Sequence, residues 1–142
     1  MFSPQEITAG IFLLVAVLIY YLNKIPRHKQ EKYRLLTKYR RTQNMSLKIQ
    51  DILSKYVLSN DAAEEVMAPG LSYGDCLKSL QRDYAVHLSK KTFLKISQSN
   101  NKRVLRKIDV MLNGLQTKLD ETSDMLEGQK KSSDKNSELS II

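Results

Sequence analysis

The chain has few of the residues that form disulfides, tight turns or metal sites. Its 142 residues include one cysteine, two histidines, three prolines and five glycines. A single cysteine, Cys76, excludes an intramolecular disulfide framework and agrees with a reducing, cytosolic location. The scarcity of proline and glycine predicts that the chain is helical almost throughout, because these two residues are the strongest interrupters of regular structure.

The sequence also lacks the signatures of a catalytic or cofactor site. It has no glycine-rich phosphate loop, no His/Cys cluster with metal-ligand spacing and no Ser-His-Asp context. Cys76 lies among apolar helical positions, and His28 and His87 are the only imidazoles that could activate it. A buried, inert thiol is the favoured interpretation. The sequence therefore predicts a protein that is not an enzyme and that has no cofactor and no metal.

Basic residues are absent before the longest apolar run, residues 7–22, and all 23 Lys and Arg residues follow it. This run is slightly shorter than the roughly 20 residues that cross a hydrocarbon core. Ser3-Pro4-Gln5-Glu6 predicts a capping box and hence a longer helix, from Pro4 to about Lys24. The predicted membrane-anchor residues are Ile7, Ile11, Phe12, Leu13, Leu14, Val15, Val17, Leu18, Ile19, Tyr20, Tyr21 and Leu22.

The flanks of the apolar run favour a retained anchor over a cleaved signal peptide. A signal peptide needs a basic segment before its core and small residues at the cleavage site after it. This chain begins MFSPQE, and bulky Tyr20, Tyr21 and Leu22 end the run. An interfacial or buried helix is the other alternative, but residues 11–19 contain no polar side chain that could form a polar face.

A dense basic segment follows the apolar run and predicts its orientation. Eight basic residues stand against one acid, Glu31, and they are Lys24, Arg27, Lys29, Lys32, Arg34, Lys38, Arg40 and Arg41. The positive-inside rule places this segment and the rest of the chain in the cytosol, with the N-terminus lumenal or in the intermembrane space. The short span favours a thinner bilayer, that of the endoplasmic reticulum or the mitochondrial outer membrane. Asn44-Met45-Ser46 matches a glycosylation acceptor, which has no meaning on the cytosolic side.

The same segment accounts for about +7 of the formal net charge of +8. Its basic residues either set the topology alone or also contact anionic lipid head groups. Clustering beside a membrane anchor argues against nucleic acid as a partner. The predicted partners are therefore the membrane and one or more proteins.

The predicted fold class is all-α. A membrane anchor at residues 1–25 and a basic juxtamembrane segment at 26–43 precede a helical bundle or coiled-coil domain at 44–127 and a disordered tail at 128–142. Pro26 is expected to mark the exit from the membrane helix, since proline disfavours helix in the residue before it.

Local signals predict the helix boundaries within the soluble region. A helix is expected up to Leu58, with a break near Gln43-Asn44, and then a short turn of helix ending at Met67. Ala68-Pro69-Gly70 interrupts the chain. Ser72 caps the following helix with Asp75 at its third position, and a bend is expected near Ser89. Residues 98–101 form a polar connector to the last helix, which is expected to end at Gly128.

The last helix, residues 102–127, has the most regular apolar pattern in the chain. Its apolar seam consists of Leu105, Ile108, Leu112, Leu115, Leu119 and Leu126, with Thr122 at the remaining heptad position. This spacing is typical of a bundle helix and of a coiled coil with a partner, and three repeats leave both open. Basic residues begin the helix and acids end it, an order that opposes the helix dipole. Antiparallel pairing with a partner helix would explain this order.

The C-terminus matches the pattern of a PDZ ligand. Ser140 stands two residues before the apolar terminal residue, Ile142. Such ligands add a strand to a sheet edge and place their carboxylate in a backbone nest.

Residues 103–120 (RVLRKIDVMLNGLQTKLD) are similar to the last helix of BAG domains, three-helix modules that bind the ATPase domain of Hsp70. The resemblance depends mainly on Arg106-Lys107 followed by a helical apolar face. It implies nucleotide exchange on Hsp70, and some fungal members of the family also have an N-terminal anchor. Gly114 stands where the family has glutamine, and no acid is found near Ser97 where the preceding helix of the family ends in one.

Taken together, these features predict a single-pass membrane-anchored adaptor or complex subunit that presents a cytosolic helical surface to protein partners. A tethered BAG-like cochaperone is the first alternative. A coiled-coil component of membrane tethering or fusion is the second, although such coils usually adjoin a C-terminal anchor.

Overall fold

Four helices and one two-stranded hairpin make up the part of the chain that the structure describes. The computed structural model covers residues 3–140, apart from the side chains of residues 24–28. The helices are α1 (Pro4–Asn60), α2 (Tyr73–His87), α3 (Lys90–Gln98) and α4 (Lys102–Leu139), and the strands are β1 (Val66–Ala68) and β2 (Leu71–Ser72). The described residues are 86% helical and the fold is all-α, as the sequence predicts.

Helix α1 is 57 residues long and passes without a break through Pro26. The predicted exit from the membrane helix at Pro26 is therefore wrong, and so is the break near Gln43-Asn44. A proline removes a single backbone donor, and helix formers on both sides continue the ladder. Near Gln43-Asn44, a polar side chain is buried within the helix packing. Thr42 is fully buried, and its hydroxyl donates to the carbonyl of Lys38 at 2.8 Å.

Residues 66–72 form an antiparallel hairpin instead of the predicted turn of helix ending at Met67. Val66 pairs with Ser72, and Ala68 pairs with Leu71. Gly70, at φ +76, supplies the left-handed conformation that the turn requires. The extended backbone turns the side chain of Met67 into the core, where it is 4% exposed, and this burial outweighs the local helix propensity.

The predicted N-cap at Ser72 is confirmed. The hydroxyl of Ser72 accepts from the backbone N–H of Asp75 at 3.1 Å. The bend expected near Ser89 is a complete break between α2 and α3, with Ser89 as the N-cap of α3. Residues 99–101 connect α3 to α4, and the side chain of Asn101 caps α4 by accepting from the backbone N–H of Arg103 at 3.0 Å.

Two apolar clusters hold the helices together along the length of α1. The first, here called the near cluster because it is closer to the N-terminal run, contains Leu35, Tyr39, Leu88, Ile96, Leu105, Ile108 and Leu112. The second, the far cluster, contains Ile49, Leu53, Met67, Tyr73, Cys76, Leu80 and Leu119. Because early residues of α4 meet early residues of α1 and later ones meet later ones, α1 and α4 run parallel. Helices α2 and α3 return between them.

Helix α4 continues past Gly128 to Leu139, so the predicted helix end at Gly128 is wrong and the disordered tail is not confirmed. One glycine costs a helix interior only about 1 kcal/mol relative to alanine. The flanking Glu, Gln and Lys residues are good helix formers and no proline follows. Gln129 makes the last contact with the domain, donating to the carbonyl of Met67 at 3.4 Å, and residues 130–139 are exposed.

Candidate membrane anchor and interaction surface

The first 20 residues of α1, Pro4–Asn23, are long and apolar enough to cross a membrane, and none of this segment is buried inside the described molecule. At 1.5 Å per residue it spans about 30 Å, the thickness of a hydrocarbon core. The backbone N–H of Ser3 donates to the Glu6 carboxylate at 3.0 Å, which forms the reach-back half of the predicted capping box. The hydroxyl of Thr8 donates to the carbonyls of Pro4 and Gln5, so this polar side chain is satisfied within the helix.

All twelve predicted anchor residues lie on this segment with side chains 48–78% exposed, from Val15 to Phe12. They surround the helix instead of forming one stripe. Large apolar side chains on every face are typical of a helix that is surrounded by lipid. One N-terminal helix of the described chain therefore has the length and the surface of a membrane span.

The predicted basic residues beyond the span do not all face solvent. Lys24 and Arg27 lie among the undescribed side chains, while Lys29, Arg34, Arg40 and Arg41 are exposed. Lys32 donates through Nζ to Oδ1 of Asn100 at 2.8 Å, a contact 68 positions along the chain. The basic segment thus contributes to the fold as well as to the charge beside the span.

Lys38 joins α1 to α4 by two short contacts. Its Nζ lies 2.6 Å from Oδ1 of Asp109 and 2.6 Å from Oδ1 of Asn113. The Lys38 and Asp109 side chains are 22% and 33% exposed, so water screens the pair only in part. The sequence places Lys38 among topology signals, and nothing local to it indicates a partner 71 positions away.

A buried polar contact fastens α1 to the break between α2 and α3. The hydroxyl of Tyr39, 2% exposed, lies 2.7 Å from the carbonyl of Leu88 and 2.9 Å from that of Ser89. Burial raises the pKa of Tyr39, with the neighbouring Tyr84 adding to the rise. The amide of Gln43 donates to the Tyr84 hydroxyl at 3.2 Å. The Tyr39 hydroxyl thus bonds to backbone carbonyls next to the end of α2, where the last carbonyls of a helix have no partner within it.

The apolar seam of α4 packs against the chain's own helices. Leu105, Ile108 and Leu112 enter the near cluster and Leu119 enters the far cluster, while Leu115 and Leu126 pack half-buried at their margins. Thr122 is buried, and its hydroxyl donates to the carbonyl of Lys118 at 2.8 Å. Four of the six residues predicted as a partner seam are therefore buried within the chain, and Leu115 and Leu126 are half-buried.

Cys76 lies in the far cluster with 5% of its surface exposed, as predicted for an inert thiol. Burial raises its pKa, and the opposing effects of Lys118 and of a hydrogen bond with Thr122 are smaller. A raised pKa keeps the thiol protonated near neutral pH, where only the thiolate is a nucleophile. Within residues 3–140, no group of three or more His, Cys, Asp or Glu side chains is placed to hold a metal ion.

The C-terminal motif is described only in part. Ser140 follows the last turn of α4, and its hydroxyl donates to the carbonyl of Ser137 at 2.9 Å. Ile142, the other predicted PDZ-ligand residue, lies outside the described residues. The PDZ-ligand hypothesis stays a prediction.

The end of the domain farthest from the N-terminal run carries exposed apolar side chains among acids. Leu58, at the end of α1, is 83% exposed, and Val66, in β1, is 66% exposed. Asp61, Glu64 and Glu65 lie between them in the sequence and are exposed. We call these five residues the distal surface.

Comparison with models of known protein families gives no match, and comparisons with curated proteins and with solved structures give none either.

Proposed function

We propose that the chain is a single-pass membrane protein that presents a cytosolic helical domain to protein partners. The observation that carries the proposal is the continuity of α1. Its first 20 residues are apolar and unburied, and the same helix then forms one wall of both apolar clusters. A helix shared in this way holds the domain at a defined distance from the bilayer.

Charge supports the orientation in this proposal. The basic residues lie on the domain side of the span, and the short segment before the span contains none. By the positive-inside rule the domain then faces the cytosol. The N-terminus faces the lumen or the intermembrane space, and the membrane is that of the endoplasmic reticulum or the outer membrane of mitochondria.

Insertion is tested by alkaline carbonate extraction of the tagged full chain. A pair of aspartates at the centre of the span, L13D/L14D, costs about 2.5–3.5 kcal/mol each at a helix centre and should release the protein. The control pair V86D/V110D changes two exposed residues of the domain and should leave the protein in the pellet. Extraction of the unchanged chain, or retention of L13D/L14D, would contradict membrane anchoring.

We propose the distal surface as the site that receives a protein partner. The seam of α4 is covered by α1, whereas Leu58 and Val66 are exposed at the end farthest from the span. Large apolar side chains left in solvent beside exposed acids make these residues candidates for an interaction site. Purification in mild detergent should recover a stable partner with the unchanged chain and lose it with L58D/V66D. Recovery of a lone monomer in both cases would argue against an adaptor.

A BAG-like cochaperone is a second proposal, favoured by one observation on α4. Arg106 and Lys107, on which the resemblance mainly rests, are exposed and take part in none of the ion pairs among the described residues. The test is release of labelled ADP from Hsp70 with the full chain in detergent. Acceleration that is lost in R106A/K107A supports this function, and no acceleration by the unchanged chain eliminates it.

A further inference from the structure

We propose that the end of the domain nearest the span is a docking surface for anionic lipid head groups, in which the connector and the start of α4, residues 99–107, join the basic part of α1. This inference rests on the proposed membrane anchoring. Seven basic residues from α3 to the start of α4 are exposed, and they are Lys90, Lys91, Lys95, Lys102, Arg103, Arg106 and Lys107. The last four belong to the docking surface. None of them belongs to an ion pair among residues 3–140. Asp109, the nearest acid in the sequence, is paired with Lys38.

The fold carries these residues to the membrane side of the domain, although they lie about 70 positions beyond the span. Helix α3 runs back along α1 from the level of Tyr39, which contacts Ser89, to the level of Lys32, which contacts Asn100. Helix α4 then starts at that level and runs parallel to α1, so that Asp109 meets Lys38. The connector and the first turns of α4 are thus the part of the domain nearest the span.

The length of α1 places this surface within electrostatic reach of a bilayer. Lys32 lies nine positions beyond Asn23, the end of the span, which corresponds to about 14 Å of helix along the membrane normal. The head-group layer occupies roughly 5–8 Å of that distance. The connector then lies about 6–9 Å beyond the head groups, comparable to the Debye length of about 8 Å at physiological salt. Tilting of α1 would shorten the distance further.

An open groove of about 520 Å³ lies between α1 and the start of α4 at this level. Its lining contains four basic residues and two acids, Glu31 and Asp109; the basic residues are Arg34, Lys102, Arg103 and Arg106. The fork of an arginine guanidinium matches the oxygens of a phosphate and binds them in a bidentate manner. The arginines of the groove therefore fit the phosphate groups of lipids in the bilayer to which the chain is anchored.

The charge of the domain is also separated along its long axis. Residues 90–109 hold seven basic residues and one acid, whereas residues 61–75, at the other end, hold four acids and no Lys or Arg. The later part of α4, residues 118–127, holds four acids and one lysine. A field of negative lipids orients such a molecule with its basic end toward the bilayer. This layout explains the order of charges on α4 without a partner helix.

The docking is measured on the full chain in lipid nanodiscs. A fluorophore is attached at Q98C, in a C76A background, and a quencher is attached to the lipid head groups; a label at S59C, on the far end of α1, reports the distal level. Discs of phosphatidylcholine alone are compared with discs that contain phosphatidylserine. The test variant is K102Q/R103Q/R106Q/K107Q, and the matched control neutralises four exposed bases elsewhere, K48Q/K130Q/K131Q/K135Q.

We expect stronger quenching of the Q98C label in discs with phosphatidylserine, unchanged in the control variant and reversed by high salt. Each neutralised residue should weaken docking by at most about fivefold, so the test variant with four changes should lose most of the difference between discs. Equal quenching in both discs, or an unchanged response in the test variant, overturns the proposal. The proposal is also overturned if the test variant keeps its quenching but no longer accelerates nucleotide release from Hsp70. These basic residues would then bind the chaperone and not the lipid.

The anchoring is judged separately, since the span should insert into neutral discs regardless of head-group charge. Failure to enter phosphatidylcholine discs would refute the anchoring itself. Entry without a charge-dependent change in quenching would refute only the docking. Far-UV circular dichroism of the test variant checks its fold, and unfolded variants are replaced by the single substitutions R103Q and R106Q.

Discussion

Replacement of Leu112 by alanine tests whether the seam of α4 stabilises this chain or belongs to a partner. Leu112 has no exposed surface and lies in the near cluster with Leu35 and Ile96. Removal of a fully buried leucine side chain costs about 2–5 kcal/mol, from lost transfer energy and the cavity left behind. For a domain of this size, each kcal/mol lowers Tm by roughly 4–8 °C, so L112A should lower Tm by about 10 °C or more. The total free energy of unfolding of such domains is about 5–15 kcal/mol, so the loss is a large share.

The assay is thermal unfolding of the full chain in detergent, followed by far-UV circular dichroism at two protein concentrations tenfold apart. V110A is the matched control, because Val110 lies on the same helix with 63% of its surface exposed and its loss should change stability by less than about 0.5 kcal/mol. An intramolecular seam predicts a Tm that does not depend on concentration. A Tm that rises with concentration, or equal effects of L112A and V110A, would refute the reasoning and indicate an intermolecular coil.

Three further predictions concern two glycines, the cysteine and one ion pair of the helical domain. G74A should destabilise the fold by about 1–3 kcal/mol in urea unfolding, because an added Cβ would lie 2.7 Å from a backbone carbonyl oxygen, while G114A, with open space around it, should stabilise the fold by about 0.5–1 kcal/mol. Iodoacetamide should alkylate Cys76 slowly in the folded chain near neutral pH and rapidly in urea. Because the pKa of Cys76 is raised in the folded state, the protonated thiol's contribution to stability is complete below the unfolded pKa of about 9 and is lost as pH rises toward the folded pKa. C76A should therefore reduce the loss of stability above about pH 9. A double-mutant cycle on Lys38 and Asp109 should give a coupling of about 1 kcal/mol, and additive effects would show that the 2.6 Å contact adds nothing to stability.

Features that depend on neighbouring residues are found where the sequence predicts them. They are the apolar run, the cap at Ser72 and the connector before Lys102. Predicted helix ends are wrong where the helix-breaking residue is outweighed by the helix formers around it. Pro26 and Gly128 each cost a helix only a few kcal/mol or less, and the residues around them continue the helix.

The hairpin at residues 66–72 shows a second kind of failure. The apolar pattern does not distinguish helix from strand over a stretch as short as residues 66–68. In the structure, Met67 lies in the far cluster from a strand position, and the backbone N–H of Gly74 donates to the carbonyl of Ala63 at 2.9 Å. Both contacts involve residues outside the hairpin, which the local sequence pattern does not indicate.

By itself the sequence determined the apolar span, the helical class and the seam of α4, because composition and periodicity act on residues within a few turns of one another. Only the tertiary structure decided what covers that seam, since α1 supplies the opposing face from 70 positions away. It also decided that Lys38 pairs with Asp109 and that residues 99–107 lie beside the basic part of α1. Both results depend on the parallel packing of α1 and α4, which arises from burial of distant apolar residues and leaves no trace in the local spacing of charges.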